Sequence, residues 1–303
     1  MRLLRKLLGK KKDKYNAGRF FTVSTTISLA VLLIIIVGIS LAGVIAPYDP
    51  DEVDILNILK DPSTKHLLGT DKAGRDIFSR LLYGGRTSLL GALGVVGVSI
   101  VAGLPLGLFS GYHGGKIDTI LMRICDVIIS FPALLLAFVF VAAFGRSLLN
   151  AVFALGIFYI PMLAKLTRSL VLVEKGKTYV EAAKATGYGD FTILFVQILP
   201  NCIPTLLVQL TLDVGAAILD LAAMSFLGLG VQPPTSDWGV MLEESRSFVT
   251  SKPFMALAPG LMIILIVVAL NVFSDGVQGY LDHSRRSLPS VKKFKKKWGI
   301  VHE

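Results

Sequence analysis

The feature that most constrains this chain is a set of six long runs that contain no charged residue. The first extends from Phe20 to Tyr48 and the second from Thr87 to Gly115, and the others fall at 127–145, 147–164, 191–212 and 253–274. A helix needs about 20 mostly apolar residues to cross a bilayer. Only 17% of the 303 residues are charged, against about 25% in a soluble domain. The runs therefore predict a chain that folds in lipid.

We predict an all-α, polytopic membrane protein with six transmembrane helices, at about 23–46, 87–111, 119–144, 148–171, 202–227 and 256–279. The first run follows basic residues and so resembles a signal peptide. Its length exceeds the 7–15 residues that are typical of a signal-peptide apolar region. Pro47 directly after Ala46 also makes a poor cleavage site. We therefore expect a retained first helix.

The distribution of basic residues predicts the orientation of these helices. If residues 1–22 are cytoplasmic, 22 of the 31 Lys and Arg residues fall on the cytoplasmic side. Short cytoplasmic segments carry this excess in membrane proteins, so we expect both termini in the cytoplasm. The basic tails, 1–22 and 283–303, are expected to lie near anionic lipid headgroups rather than on nucleic acid. Cys125 and Cys202 are far apart in sequence and are interpreted as small apolar thiols.

Between the first two helices, residues 47–86 form a predicted extracytoplasmic segment. Its second half, His66 to Arg86, is predicted to be a helix along the membrane surface, with Ile77, Leu81 and Leu82 on one side. Residues 87–282 are predicted to form a five-helix core. The glycine-rich composition of the second transmembrane run, which includes Gly103 and Gly107, favours close helix packing.

The most informative segment is Tyr179 to Pro200, YVEAAKATGYGDFTILFVQILP, within a cytoplasmic loop at 174–199. Good helix formers surround Glu181, and Gly187 and Gly189 are expected to end that helix. Asp190 is then expected to cap a second helix, and Pro200 and Pro204 to mark the turn into the fifth transmembrane helix. The product is a short helix, a tight corner and a second helix.

This segment resembles the Glu-Ala-Ala loop of the membrane subunits of bacterial ABC importers. The positions that match the family pattern are Glu181, Ala182, Ala183, Gly187, Leu199 and Pro200, whereas Gln197 stands where the family usually has Ile. The stretches at 66–89, 218–242 and 271–282 further resemble the C-type permease subunits for dipeptides, oligopeptides and nickel. The resemblance extends over about residues 20–283.

The resemblance implies an importer-type permease bundle in the bacterial inner membrane that forms half of a translocation pathway for peptides. It implies four kinds of partner: a homologous second permease subunit, two cytoplasmic ATPase subunits, an extracytoplasmic substrate-binding protein and membrane lipid. In that family the loop helix docks in a cleft of the ATPase. The small side chains of Ala182 and Ala183 would allow close seating, and Glu181 would pair with a basic residue of the partner.

The chain itself has no phosphate-binding loop, which requires the pattern G-x-x-x-x-G-K-[ST]. Gly176 is followed by Lys177 and Thr178, but Val171 occupies the position of the first glycine. We therefore expect no enzymatic activity and no cofactor on this chain, with ATP and Mg²⁺ held by the partner subunits.

Charged groups inside membrane helices indicate function or pairing. Asp213 and Asp220 lie two helical turns apart on one face of the fifth helix, and they are candidates either for lining the pathway or for structural pairing. Asp126 shares a face with Arg123 and is expected to pair with it. The extracytoplasmic loop at 228–259 is interpreted either as a platform for the binding protein or as a plain structured loop.

Two other classes of protein remain as alternatives. A secondary transporter driven by an ion gradient would need no ATPase-docking loop and usually has broken half-helices near the membrane centre. An intramembrane enzyme would need clustered catalytic side chains. The cargo also stays open between dipeptides, longer peptides, nickel complexes and other small solutes, because specificity resides largely in the binding protein.

Overall fold

The structure is a computed structural model, and it describes residues 23–281. Over this range the chain is helical, apart from turns and one isolated bridge between Thr70 and Asp76. The helices are α1 Val23–Ser40, α2 Ala42–Ile45, α3 Ile77–His113, α4 Gly115–Ile129, α5 Ala133–Phe144, α6 Leu148–Lys175, α7 Thr178–Ala185, α8 Asp190–Thr192, α9 Leu199–Phe226, α10 Trp238–Ser245 and α11 Phe254–Leu281. Single 3₁₀ turns lie at Ile55–Asn57 and Arg246–Phe248.

Five helical segments in the described part of the chain are long and apolar enough to cross a membrane, and the number is six if a bent pair of helices is counted as one span. The five are α1, α3, α6, the continuous segment Asp190–Phe226 and α11. The pair α4 and α5 corresponds to the third predicted span, but the two helices meet at 85°. Ser130, Phe131 and Pro132 separate them, and Pro132 cannot continue the hydrogen-bond ladder of α4. The region predicted as one membrane helix at 119–144 is thus two helices.

The segment before α3 also differs from the prediction. Residues 66–76 are turns rather than helix, and α3 begins only at Ile77, where the carboxylate of Asp76 accepts a hydrogen bond from the Ser79 amide at 2.8 Å. From there α3 continues without a break for 37 residues. The prediction of a separate surface helix over 66–86 is therefore wrong. Ile77, Leu81 and Leu82 do share one side, and all three are buried.

Helices α3 and α6 pack closely against each other and run parallel, because their contacts advance in the same direction along both helices. A Cβ placed on Gly103 would lie 2.6 Å from the carbonyl oxygen of Ile160, and one on Gly107 would lie 2.5 Å from that of Ala164. The two backbones therefore approach more closely than any side chain on α3 would allow at these positions. Small residues permit such packing in lipid, where no hydrophobic force drives helices together.

The bundle has two ends that differ in structure. One end, called the elbow end, contains the short connections at residues 113–114 and 176–189. At the other, called the loop end, the segments 46–76 and 227–253 fold over the helices and contact each other. Large apolar side chains such as Val101 and Leu90 are exposed along the sides between these ends. In water such a surface would be unfavourable, whereas in a bilayer these side chains would face lipid tails.

Candidate functional site: the elbow and the loop-end cluster

The elbow consists of α7, the turn after it, α8 and the segment that joins α8 to α9, residues 178–199. Helix α7 begins after Lys177 and ends at Ala185. Glu181, Ala182 and Lys184 are exposed along it, whereas Val180 and Ala183 are buried. The two alanines of the motif thus have different surroundings. Ala182 is exposed, whereas Ala183 packs within this chain.

Gly187 ends α7 through its backbone conformation. Its φ is +84°, a region that side chains with a Cβ rarely occupy. The Gly187 amide donates to the carbonyl of Lys184 at 3.0 Å, and the Tyr188 amide donates to that of Ala183 at 3.1 Å. This pair of bonds is the Schellman motif. A Cβ added at Gly187 would have no other atom within 4 Å, so the position requires glycine for its backbone angle rather than for space.

The start of the second elbow helix corrects two predictions. Asp190 is not the capping residue; Gly189 occupies that position, with a φ of −68°, and Asp190 is the first residue of α8. A carboxylate is favoured there by the partial positive charge of the helix N-terminus. The chain also makes no turn at Pro200 or Pro204. It passes through a π-helical turn, Ile193–Ile198, and continues directly into α9.

The buried side of the elbow belongs to a second hydrophobic cluster at the elbow end. Val180 and Ala183 of α7 pack there with Ile193, Leu194 and Ile198 of the π-helical turn, against Leu108 and Leu163 of the long helices. Leu199 is half-buried beside this cluster, and Pro200 is exposed. The six motif residues thus divide into an outward set and a set that fixes the elbow to the bundle.

Polar contacts hold the elbow from the α6 side. The hydroxyl of Tyr179 donates to Glu174 at 2.7 Å. Burial, together with the hydrogen bond to this carboxylate, raises the pKa of Tyr179 to about 12. The ammonium group of Lys177 also contacts Glu174, at 2.5 Å. The start of α7 is therefore tied to the last turn of α6.

At the loop end the structure contains a buried ionic cluster that sequence reasoning missed. It is defined by two acidic and two basic side chains, Asp71, Arg75, Arg80 and Glu244. Arg75 donates to Asp71 at 2.7 Å and to Glu244 at 2.8 Å. Arg80 contacts both carboxylates, with 2.5 Å to Glu244. The exposed fraction of the Glu244 side chain is 2% and that of Arg80 is 1%. The cluster joins the segment before α3 to α10.

The charges within the cluster balance, and this sets the ionisation of its members. Burial alone would raise the pKa of Glu244, but the positive charge of Arg80 and the hydrogen bonds from Arg80 and Arg75 hold that pKa below its ordinary value. Arg75 behaves in the complementary way, because its bonds to Glu244 and Asp71 outweigh burial and raise its pKa. Glu244 and Arg75 are therefore both charged at neutral pH.

A second set of contacts fixes α10 to α3 beside the cluster. Asp237 caps α10, with its carboxylate accepting from the Gly239 amide at 3.1 Å, and it also accepts from the Ser88 hydroxyl at 2.5 Å. The indole N–H of the fully buried Trp238 donates to the carbonyl of Leu81 at 3.0 Å. The loop at 228–259 is therefore a structured element anchored on α3.

Asp213 and Asp220 lie on one face of α9, as predicted, and both are partly buried. Asp213 accepts a hydrogen bond from Gln209 at 2.8 Å, and Asp220 accepts one from Tyr159 at 2.9 Å. Among the described residues neither carboxylate forms an ion pair within 4.0 Å. They belong to neither the elbow nor the loop-end cluster.

Asp126 on α4 pairs with a different residue than expected. Its carboxylate contacts the ammonium group of Lys165 on α6 at 2.6 Å, so the prediction of an ion pair with Arg123 is wrong. Nearby, Asp118 accepts two hydrogen bonds from Arg168, at 2.5 and 2.6 Å. Two ion pairs therefore attach α4 to α6. Both cysteines are buried thiols, as predicted.

Comparison with known proteins identifies the family of this chain. Residues 103–287 match the family described as "Binding-protein-dependent transport system inner membrane component". The glutathione transport system permease protein of Pectobacterium atrosepticum is 41% identical over 273 residues, which are 89% of this chain and 90% of the relative. The di/tripeptide transport system permease protein of Pseudomonas aeruginosa is 42% identical over 260 residues, 84% of this chain and 86% of the relative.

The fold has relatives among solved structures. Two inward-facing structures of the MetNI methionine ABC transporter contain a similar chain, with TM-scores of 0.55 and 0.58 and sequence identities of 19% and 17%. The similarity covers 66% and 67% of this chain and 96% and 97% of the other. The similar region thus includes nearly all of that subunit. The extent of the family match and the identity to these permeases agree with the helical bundle, and this chain belongs to the family of inner-membrane components of binding-protein-dependent transport systems.

Proposed function

We propose that this chain is one of two membrane-spanning subunits of an ABC importer for peptides, and that the elbow is its contact with a cytoplasmic ATPase. The observation that carries this proposal is the geometry of the elbow. A short helix projects exposed Glu181 and Ala182 while its opposite face is fixed to the bundle by buried Val180 and Ala183. A partner that binds the exposed face can therefore displace the bundle. Membership of this family argues against the alternative of a transporter driven by an ion gradient.

The ATPase contact is tested by capture of the ATPase on the purified membrane subunits. Glu181 is exposed on the first turn of α7, so Glu181→Lys reverses a charge at the proposed contact without disturbing the core. We expect this change to abolish capture. The matched control is Glu52→Lys, which reverses an exposed charge at the loop end. Equal capture by both variants would refute the elbow as the contact.

The other partners follow from the surfaces that the fold leaves open. In this proposal both termini and the elbow end are cytoplasmic, and the binding protein meets the loop end. The homologous second permease covers the apolar side of α4 and α5, where Ile120, Ile124 and Phe138 are exposed. Hydrolysis of ATP with Mg²⁺ takes place on the ATPase subunits. A protease or thiol reagent that reaches the elbow from outside the cell would contradict this orientation.

Peptide cargo is supported by the names of the curated relatives, which transport glutathione, dipeptides and tripeptides. We propose that Asp213 and Asp220 line the pathway and meet the ammonium end of a passing peptide. Both carboxylates are partly buried and hydrogen-bonded only to neutral donors among the described side chains. A passing cation would therefore find charge that the protein does not already neutralise.

This assignment is tested by uptake of labelled dipeptides, glutathione and longer peptides. Asp213→Asn and Asp220→Asn keep the size of each side chain and remove its charge, so we expect slower uptake with normal assembly of the complex. Unchanged uptake in both variants would remove the pathway role. Uptake of nickel complexes in place of all three peptide probes would favour the other cargo of similar permeases.

A further inference from the structure

Beyond the motif residues, one side chain outside the elbow contacts both of its short helices. Tyr112 lies on the last turn of α3 and is buried. Its hydroxyl donates to the carboxylate of Asp190, the first residue of α8, at 2.5 Å. Its carbonyl oxygen accepts a hydrogen bond from the ammonium group of Lys175 at the end of α6.

The ring of Tyr112 makes a third kind of contact. The ammonium group of Lys175 lies 5.2 Å from the ring centroid, and that of Lys184 on α7 lies 5.8 Å from it. Cations within about 6 Å of an aromatic face are attracted by its quadrupole. One residue of α3 thus contacts α6, α7 and α8, the three helices between which the chain makes its corner.

The polar bond to Asp190 differs in kind from the apolar packing of the elbow. Apolar contacts are non-directional, so the buried side chains hold the elbow against the bundle without specifying one pair of atoms. A hydrogen bond to a carboxylate is directional and is about twice as strong as one between neutral groups. The Tyr112 hydroxyl therefore adds one specific contact between α3 and α8 to the apolar packing of the cluster.

Movement of this end of α3 cannot stay local. The glycine contacts at Gly103 and Gly107 bring its backbone against α6 one to three turns away from Tyr112. Farther along the same helix, Arg80 is held in the buried cluster with Glu244. Helix α3 thus connects the elbow end to the loop end as one continuous element of 37 residues.

We propose that Tyr112 is a positioning residue that transmits displacement of the elbow to α3 through its hydrogen bond to Asp190. This inference rests on the proposed contact between the elbow and an ATPase. It assigns the step after that contact, in which the movement of α7 and α8 becomes a movement of a membrane-spanning helix.

The test uses the complete transporter in lipid, with spin labels at Leu93 on α3 and Leu261 on α11, which are both exposed. The distance between the labels is measured with and without ATP and vanadate. In the wild type we expect ATP to shift the distance distribution. Tyr112→Phe keeps the ring and the backbone carbonyl and removes only the hydroxyl. It should reduce the ATP-induced population ratio roughly tenfold, as expected for the loss of one hydrogen bond to a charged group.

Two further variants separate positioning from folding. Asp190→Ala removes the same hydrogen bond by changing its partner on the exposed side of the elbow. The double variant Tyr112→Phe with Asp190→Ala should show the same ATP-induced shift as either single variant, because the two groups act through one bond. Tyr83→Phe removes a hydroxyl from the opposite end of α3 and should behave as the wild type. ATPase capture should stay at the wild-type value in Tyr112→Phe and in Tyr83→Phe, because both leave the exposed face of the elbow unchanged.

The outcomes distinguish this inference from the function on which it rests. A full ATP-induced shift in Tyr112→Phe, or additive losses in the double variant, would overturn the role of Tyr112 while leaving the elbow contact intact. Failure of the wild-type chain to capture the ATPase would overturn both. If Tyr112→Phe assembles poorly, the shift measured in Asp190→Ala decides the question.

Discussion

The buried cluster at the loop end makes a quantitative prediction about stability. Replacing Glu244 with Gln keeps the size of the side chain and removes its charge. In the wild type two carboxylates balance two guanidinium groups, Arg75 at 2.8 Å and Arg80 at 2.5 Å from Glu244. In Glu244→Gln only Asp71 would remain to balance them, so one positive charge would be left buried without a partner.

The expected cost follows from that uncompensated charge. Removing one partner from a buried ion pair destabilises a protein by about 3–5 kcal/mol. Each hydrogen bond to a charged group contributes about 1.5–3 kcal/mol, and Glu244 accepts two from the guanidinium groups. The two ways of counting agree. Glu244→Gln should therefore weaken the contact between α10 and the segment before α3 by about 3–5 kcal/mol.

Trp238 provides a local readout of this loss. The chain has two tryptophans, so Trp298→Phe leaves the buried Trp238, at the loop end, as the single tryptophan. Its emission during urea unfolding in detergent should shift to red at lower urea concentration in Glu244→Gln. Glu243→Gln is the matched control, since that neighbouring side chain is exposed, and it should change stability by less than about 0.5 kcal/mol. Equal midpoints for the two variants would refute the reasoning.

Three further outcomes are expected. Gly187→Ala forces a Cβ into a left-handed conformation and should cost about 1–2 kcal/mol in the elbow and slow transport, whereas Gly189→Ala, with a φ of −68°, should not; equal transport rates would contradict this. Gly107→Ala places a Cβ 2.5 Å from a carbonyl oxygen of α6 and should lower stability in a urea titration by about 1–3 kcal/mol, while Gly97→Ala, with open space, should not lower it. Because the folded-state pKa of Glu244 is depressed, the contribution of Glu244 to the free energy of unfolding should be complete above its unfolded pKa of about 4.3. This contribution should disappear as the pH falls through the folded-state pKa. A stability difference between wild type and Glu244→Gln that stays constant on acidification would contradict this.

The membrane-spanning helices could be predicted from sequence because a run of about 20 uncharged residues has few other structures available to it. The first helix of the elbow and its end were also predictable, since Gly187 carries a local signal for the turn, whereas the cap at Gly189 and the π-helical turn were not predicted. The start of α3 was not, because the amphipathic pattern of Ile77, Leu81 and Leu82 is compatible with either a surface helix or the first turns of a spanning one. Pro132 was the overlooked signal for the bend between α4 and α5.

Long-range pairing explains the other differences. Arg75 and Glu244 are 169 positions apart, and no periodicity in either segment indicates that they meet. Asp126 could pair with Arg123 by helical spacing, but Lys165 on the neighbouring helix reaches it instead. Ionic partners in a bundle depend on which helices are adjacent, and that order is a property of the folded chain rather than of any short window.

The π-helical turn at Ile193–Ile198 has a consequence for how the elbow is aimed. A turn of this kind accommodates about one more residue than an α-helical turn of 3.6 residues, and each residue of an α-helix corresponds to a rotation of about 100°. Deleting a single residue there would restore regular winding and swing α7 around the axis of α9 by roughly that angle. The direction in which Glu181 points thus depends on one surplus residue in the neighbouring helix.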